Sequence, residues 1–136
     1  MGTDAVTAHV AGPADDALVD ALLDAAERLW ERAPHVTAED RMMMSLALSE
    51  IATNIARHSP RPVEVEADLS VDGGEVRAVL DDTAPPAAID WDAVGMPDDD
   101  AESGRGLALA LRALDALEHE PHAVGNRWTL VRALRG

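Results

Sequence analysis

The sequence predicts an α/β sandwich, with three helices covering one face of a mainly antiparallel mixed sheet. Three observations carry that expectation. Stretches of alternating apolar and polar residues, the period of a half-buried strand, recur along the chain. Other stretches repeat apolar residues at the three-to-four spacing of a helix face. Their order is strand, helix, helix, strand, strand, irregular stretch, helix, strand, strand.

Val6, Ala8 and Val10 alternate with Ala5, Thr7 and His9 and predict a first strand that stops at Gly12-Pro13. From Ala14 to Arg32, Leu18, Leu22, Ala25 and Leu29 recur at helical spacing, and Pro34 ends the helix. Thr37 followed three residues later by Asp40 has the form of a capping box. A second helix is therefore expected from Ala38 to His58, stopped by Ser59-Pro60-Arg61-Pro62. Val63, Val65, Ala67 and Leu69 alternate with charged residues, Asp72-Gly73-Gly74 is a hairpin turn, and Glu75 to Asp81 is the returning strand.

Between Asp82 and Ser103 the pattern is lost among Pro85, Pro86, Gly95, Pro97 and the run Asp98-Asp99-Asp100. So long an irregular stretch inside a compact domain is more often a functional lid than a plain connector, the alternative being a disordered acidic loop. Gly104-Arg105-Gly106 opens a third helix, Leu107 to Leu117. Glu118 to Val124 reads as a strand, Gly125-Asn126 as a turn and Arg127 to Leu134 as the last strand.

A chain of 136 residues fits a single domain spanning 1–136, with a core built without disulfides. The aromatics are Trp30, Trp91 and Trp128, so that core is aliphatic. Eleven basic against 26 acidic side chains give a net charge of −15, which repels a nucleic-acid backbone. A basic protein partner suits that charge; a free nucleotide does so only where magnesium and local donors screen its phosphates. The absence of cysteine excludes thiolate metal sites and cysteine nucleophiles. Met1-Gly2-Thr3-Asp4 does not begin a basic-then-apolar leader, and no apolar run reaches the ~20 residues of a membrane span. The expectation is a cytoplasmic protein with no membrane contact.

The chemistry concentrates in Glu50-Ile51-Ala52-Thr53-Asn54. Residues four apart share a helix face, so the Glu50 carboxylate and the Asn54 carboxamide can converge on one small target. Met44, Leu48, Ile51 and Ile55 form the neighbouring stripe that would bury against a sheet. Taken alone, such a pair is more often a solvated helix face. Two further segments change that balance: Leu80-Asp81-Asp82-Thr83-Ala84-Pro85-Pro86 at a strand end and Ser103-Gly104-Arg105-Gly106-Leu107 at a helix start.

In this order, with a loose segment between the last two, these stretches resemble the N, G1 and G2 boxes of the GHKL ATPase superfamily. Within it the chain is similar to RsbW-type anti-sigma-factor serine kinases, over nearly its whole length. The resemblance implies the Bergerat-type fold, ATP and magnesium as cofactors, and phosphorylation of an anti-anti-sigma partner of the STAS type beside sequestration of a sigma factor. It implies Asn54 as magnesium ligand and Glu50 as general base. It further implies Asp81 and Thr83 at the adenine, Gly104, Arg105 and Gly106 at the phosphates, and Asn126 near the adenine-binding aspartate. Relatives often form homodimers.

The match has departures. Thr83 stands where the G1 box has glycine, Pro86 where an aromatic is common, Glu102 where some relatives have a basic residue, and Asn126 where threonine is expected. They motivate a second reading, a module of the same fold that regulates a partner by docking alone. A third, a detached catalytic domain of a sensor histidine kinase, is disfavoured by the absence of a preceding pair of phosphoacceptor helices.

Overall fold

The computed structural model describes residues 5–57, 62–89, 91 and 102–135, the side chains of 102–105 excepted. His58 and the acidic run Asp98-Asp99-Asp100 lie outside the described residues. In chain order the elements are β1 (Val6–Pro13), α1 (Asp16–Glu31), α2 (Ala38–Arg57), β2 (Glu64–Val71), β3 (Glu75–Asp82), α3 (Glu102–Ala113), β4 (Ala116–His122) and β5 (Gly125–Ala133). The strands form one sheet in the order β1-β2-β3-β5-β4, and every pairing is antiparallel. The expected sandwich is therefore present, with a wholly antiparallel rather than mixed sheet.

Alternation decides which sheet face is covered. Val65, Ala67, Leu69 and Val71 of β2 and Val76, Ala78 and Leu80 of β3 are buried, while Glu64, Glu66 and Asp68 are exposed. The helices supply the opposing layer through Leu22 and Leu29 of α1 and Met44, Leu48, Ile51 and Ile55 of α2. The core is aliphatic apart from Trp30 and Trp128.

Local chemistry sets the helix ends. Asp15 caps α1, its carboxylate accepting from the Leu18 N–H at 2.9 Å. Thr37 Oγ1 accepts from the Asp40 N–H at 3.1 Å, the outgoing half of a capping box. The returning half is absent, because the Asp40 carboxylate is drawn into the interior by Arg132 of β5.

Asp40 and Arg132 are both buried. Arg132 Nε donates to Asp40 Oδ1 at 2.8 Å and one terminal nitrogen donates to the Ala113 carbonyl at 2.7 Å. The Arg135 N–H supplies the other Asp40 oxygen at 3.0 Å. One guanidinium thus joins the start of α2 to the end of α3, where a helix leaves carbonyls without partners.

The largest departures from the expected boundaries lie in the C-terminal third. The third helix starts at Glu102 and stops at Ala113, rather than spanning Leu107 to Leu117. It stops early because Asp115 joins the sheet, its N–H on Val131 O at 2.8 Å and its carboxylate on the Ala133 N–H at 2.7 Å. Pairing with β5 overrides the helical preference of Ala116 and Leu117. The final turn is at residues 123–124, and Gly125-Asn126 instead begin β5.

Several carboxylates are held below their ordinary pKa by these contacts. Burial pushes Asp40 up, but the Arg135 N–H and the Arg132 guanidinium outweigh it. The Gly74 and Glu75 N–H groups lower Asp72 in the hairpin, and the Arg135 side chain with the Ala133 N–H lowers Asp115. A carboxyl lowered in the folded state contributes stability that is complete above its unfolded value of about 3.9. That contribution is lost as pH falls through the folded values. The urea midpoint is therefore expected to fall between pH 6 and pH 3; a midpoint that stays level would remove these contacts from the account of acid stability.

Candidate functional site

The second helix presents Glu50 and Asn54, both half-buried, beside the buried Ile51 and Ile55. The apolar pair seats the helix on the core and leaves the polar pair at its margin. The Glu50 carboxylate reaches the third helix. A Cβ built on Gly106 would stand 2.6 Å from Glu50 Oε2, closer than real Cβ contacts come. Glycine at 106 thus leaves the room that the carboxylate occupies. The structure brings the Glu50 and Gly106 positions together although they lie on separate helices.

Because α3 starts at Glu102, Gly104 and Arg105 belong to its first turn rather than to a loop ahead of it. Helix geometry leaves the N–H groups of residues 102–104, the first three of the helix, without partners inside it. The side chain of Arg105 lies outside the described ones.

The other end of the site lies where β3 and β5 run side by side, and here the placement differs from the expectation. Asp81 faces the uncovered side of the sheet, where Arg127 grips it through Nε at 2.7 Å and a terminal nitrogen at 3.1 Å. Asp82 is the inward residue, next in the alternation after Ala78 and Leu80, and it is buried. The structure therefore does not bring Asp81 to the helix side of the sheet; it brings Asp82. The alternation of Val76, Ala78 and Leu80 already carried that signal in the sequence, since the next inward position is 82.

Asp82 sits in a closed polar cluster. Its Oδ1 accepts from Asn126 Nδ2 at 2.9 Å and from the Ala84 N–H at 3.0 Å, and its Oδ2 accepts from Trp128 Nε1 at 2.9 Å. Asn126, buried and opposite Asp82 in the β3–β5 register, also donates to Pro85 O at 3.2 Å. Its Oδ1 accepts from the Ala87 N–H at 2.9 Å and lies 2.8 Å from His119 Nε2. Asn126 thus reaches the inward aspartate directly, with no water needed. Trp128 and His119 are participants that motif spacing did not reveal; their inward register beside Asn126 is the signal that could have found them.

Thr83 does not enter this cluster. Its Oγ1 accepts from the Glu64 N–H at 2.9 Å and its own N–H donates to Glu64 O at 3.1 Å, so it extends the ladder to β2. Gly125 is required for another reason: a Cβ there would collide with the Asp82 carbonyl oxygen. The close approach of the two strands fixes Asp82 against Asn126.

The sequence profile of the histidine kinase-like ATPase domain matches residues 12–132. No curated protein matches the chain in sequence. Among solved structures, one containing the RsbU and RsbW domains of Rv1364c from Mycobacterium tuberculosis is 18% identical with a TM-score of 0.68, the match covering 95% of this chain and 32% of that one. The histidine kinase domain of a blue-light activated histidine kinase from Erythrobacter litoralis is 17% identical with a TM-score of 0.54, covering 87% of this chain and 60% of that one. At these identities the likeness is one of fold, and this chain spans only part of either neighbour. The profile match runs from the end of β1 to the end of β5 and takes in Glu50, Asn54, Asp82, Gly106 and Asn126. The chain belongs to the histidine kinase-like ATPase domain family.

Proposed function

We propose that this chain binds magnesium ATP and acts as a regulatory protein-serine/threonine kinase of the RsbW type, with a STAS-type anti-anti-sigma protein as substrate and a sigma factor as second partner. The observation that carries the reading is the Glu50 carboxylate lying against Gly106, with Asn54 one turn further along α2. ATP supplies the transferable phosphoryl group. The Asn54 side-chain oxygen suits a hard cation such as magnesium. The N–H groups of residues 102–104, which have no partner within α3, suit phosphate oxygens. Glu50 is positioned to take the proton of an attacking serine or threonine hydroxyl.

At the base end we assign to Asp82 the role expected of Asp81. A carboxylate has about four acceptor directions, and protein donors fill three of those on Asp82. One direction on Oδ2 remains for the amino group of adenine. The residues present therefore fit the nucleotide at both ends.

Calorimetric titration tests the reading. The parent is expected to bind ATP with an affinity that rises on adding magnesium, and Asn54→Ala to lose that magnesium dependence and bind at least about tenfold more weakly, a loss of ~1.4 kcal/mol. Equal affinities in parent and variant would leave Asn54 without its role.

A docking module without catalysis is the second reading, favoured by the use of Thr83 in the β2 ladder and by the full set of protein donors on Asp82 Oδ1. ATP binding without phosphate transfer to a STAS-type protein would select it.

A further inference from the structure

We propose that His119 and Asn126 are positioning residues for the base end of the nucleotide site: a proton on His119 Nε2 holds the Asn126 amide in the orientation that aims Asp82. The proposal rests on Asp82 being the base-recognising carboxylate.

The orientation of Asn126 follows from its neighbours. The Ala87 backbone N–H can only donate, so the amide atom 2.9 Å away is the oxygen. The Asp82 carboxylate and the Pro85 carbonyl only accept, so the atom facing them is the nitrogen. A flipped amide would set oxygen against two acceptors and NH2 against a donor. With the oxygen identified, the His119 nitrogen 2.8 Å from it must carry a proton. His119 is then the Nε2–H form, whether neutral or charged.

Every hydrogen-bonding capacity of Asn126 is now occupied: two donors face Asp82 and Pro85, and two acceptor directions face Ala87 and His119. Asn126 has nothing left for a ligand and acts through Asp82. His119 also packs against Trp128, with ring centroids 4.5 Å apart and planes inclined at 49°, and Trp128 delivers its indole N–H to the second Asp82 oxygen. Both arms of the β4–β5 hairpin therefore converge on one carboxylate and leave it a single open direction. A group oriented before the ligand arrives costs less to order on binding.

Two substitutions separate the hydrogen bond from the ring contact. His119→Gln puts an amide N–H where Nε2 was and removes the ring; His119→Phe keeps a ring against Trp128 and removes the donor. In ligand-free protein, nitrogen NMR is expected to show the Nε2–H form of His119. Exchange of the Trp128 indole proton should quicken in His119→Phe and return toward the parent rate in His119→Gln. ATP affinity is expected to fall about tenfold in His119→Phe and to stay within about threefold of the parent in His119→Gln.

An Nδ1–H form would overturn the proposal. So would parent-like ATP affinity and indole exchange in His119→Phe, and so would a His119→Gln variant that falls as far as His119→Phe, since restoring the donor would then restore nothing. A parent that binds no ATP defeats the functional reading, and the tautomer with the indole exchange still decides the relay.

Discussion

Replacing Arg132 by alanine is expected to destabilise the protein by about 3–5 kcal/mol, the cost of leaving a buried charge without its partner. Asp40, on α2, would keep the Arg135 N–H but lose the guanidinium that neutralises it, and the Ala113 carbonyl at the end of α3 would lose its donor. In a domain of this size that loss corresponds to a fall in Tm of roughly 10 °C or more. Arg132→Lys keeps the charge without the planar fork that serves both acceptors, and should recover only part of the loss. Thermal melts of the two variants check this. A Tm for Arg132→Ala within a few degrees of the parent would show that the pair repays little more than its own desolvation. Because the clamp joins the helices that carry Glu50 and Gly106, its loss should also loosen their mutual placement.

Glu50→Gln is expected to slow phosphoryl transfer to a STAS-type protein by about 10²–10⁴-fold, the usual contribution of a positioned general base. Glutamine has nearly the same shape, so it keeps its place over Gly106 but accepts no proton at neutral pH. ATP affinity and Tm should stay near those of the parent, separating a role in transfer from one in binding or folding. Initial rates of phosphate incorporation at saturating magnesium ATP provide the measurement. A Glu50→Gln variant that transfers phosphate as fast as the parent would remove Glu50 from the reaction.

The period of the apolar residues made most of the fold legible. The two long helices and the β2–β3 hairpin follow from spacing, because a slip would turn buried Val, Leu and Ile to solvent. The C-terminal third was harder to read. Ala113 to Leu117 favours a helix by propensity, and the contacts of Asp115 with Val131 and Ala133 together with the pairing of Ala116 and Leu117 on β5, all to partners distant in sequence, decide for a strand.

At the candidate site, the α2 pair was readable from its four-residue spacing. Motif matching favoured Asp81, the first of two adjacent aspartates. Alternation, which distinguishes the two sheet faces, pointed to Asp82. The contributions of His119 and Trp128 come from strand register across β4 and β5, which no local pattern in the sequence encodes.

Asp40 and Arg132 are 92 residues apart in the chain. A contact of that separation closes a large loop and is expected to form after the local helices and the β2–β3 hairpin. Interactions absent from the folding transition state act on the rate of opening rather than on the rate of folding. The buried arginine then governs chiefly how long a folded molecule lasts before it unfolds.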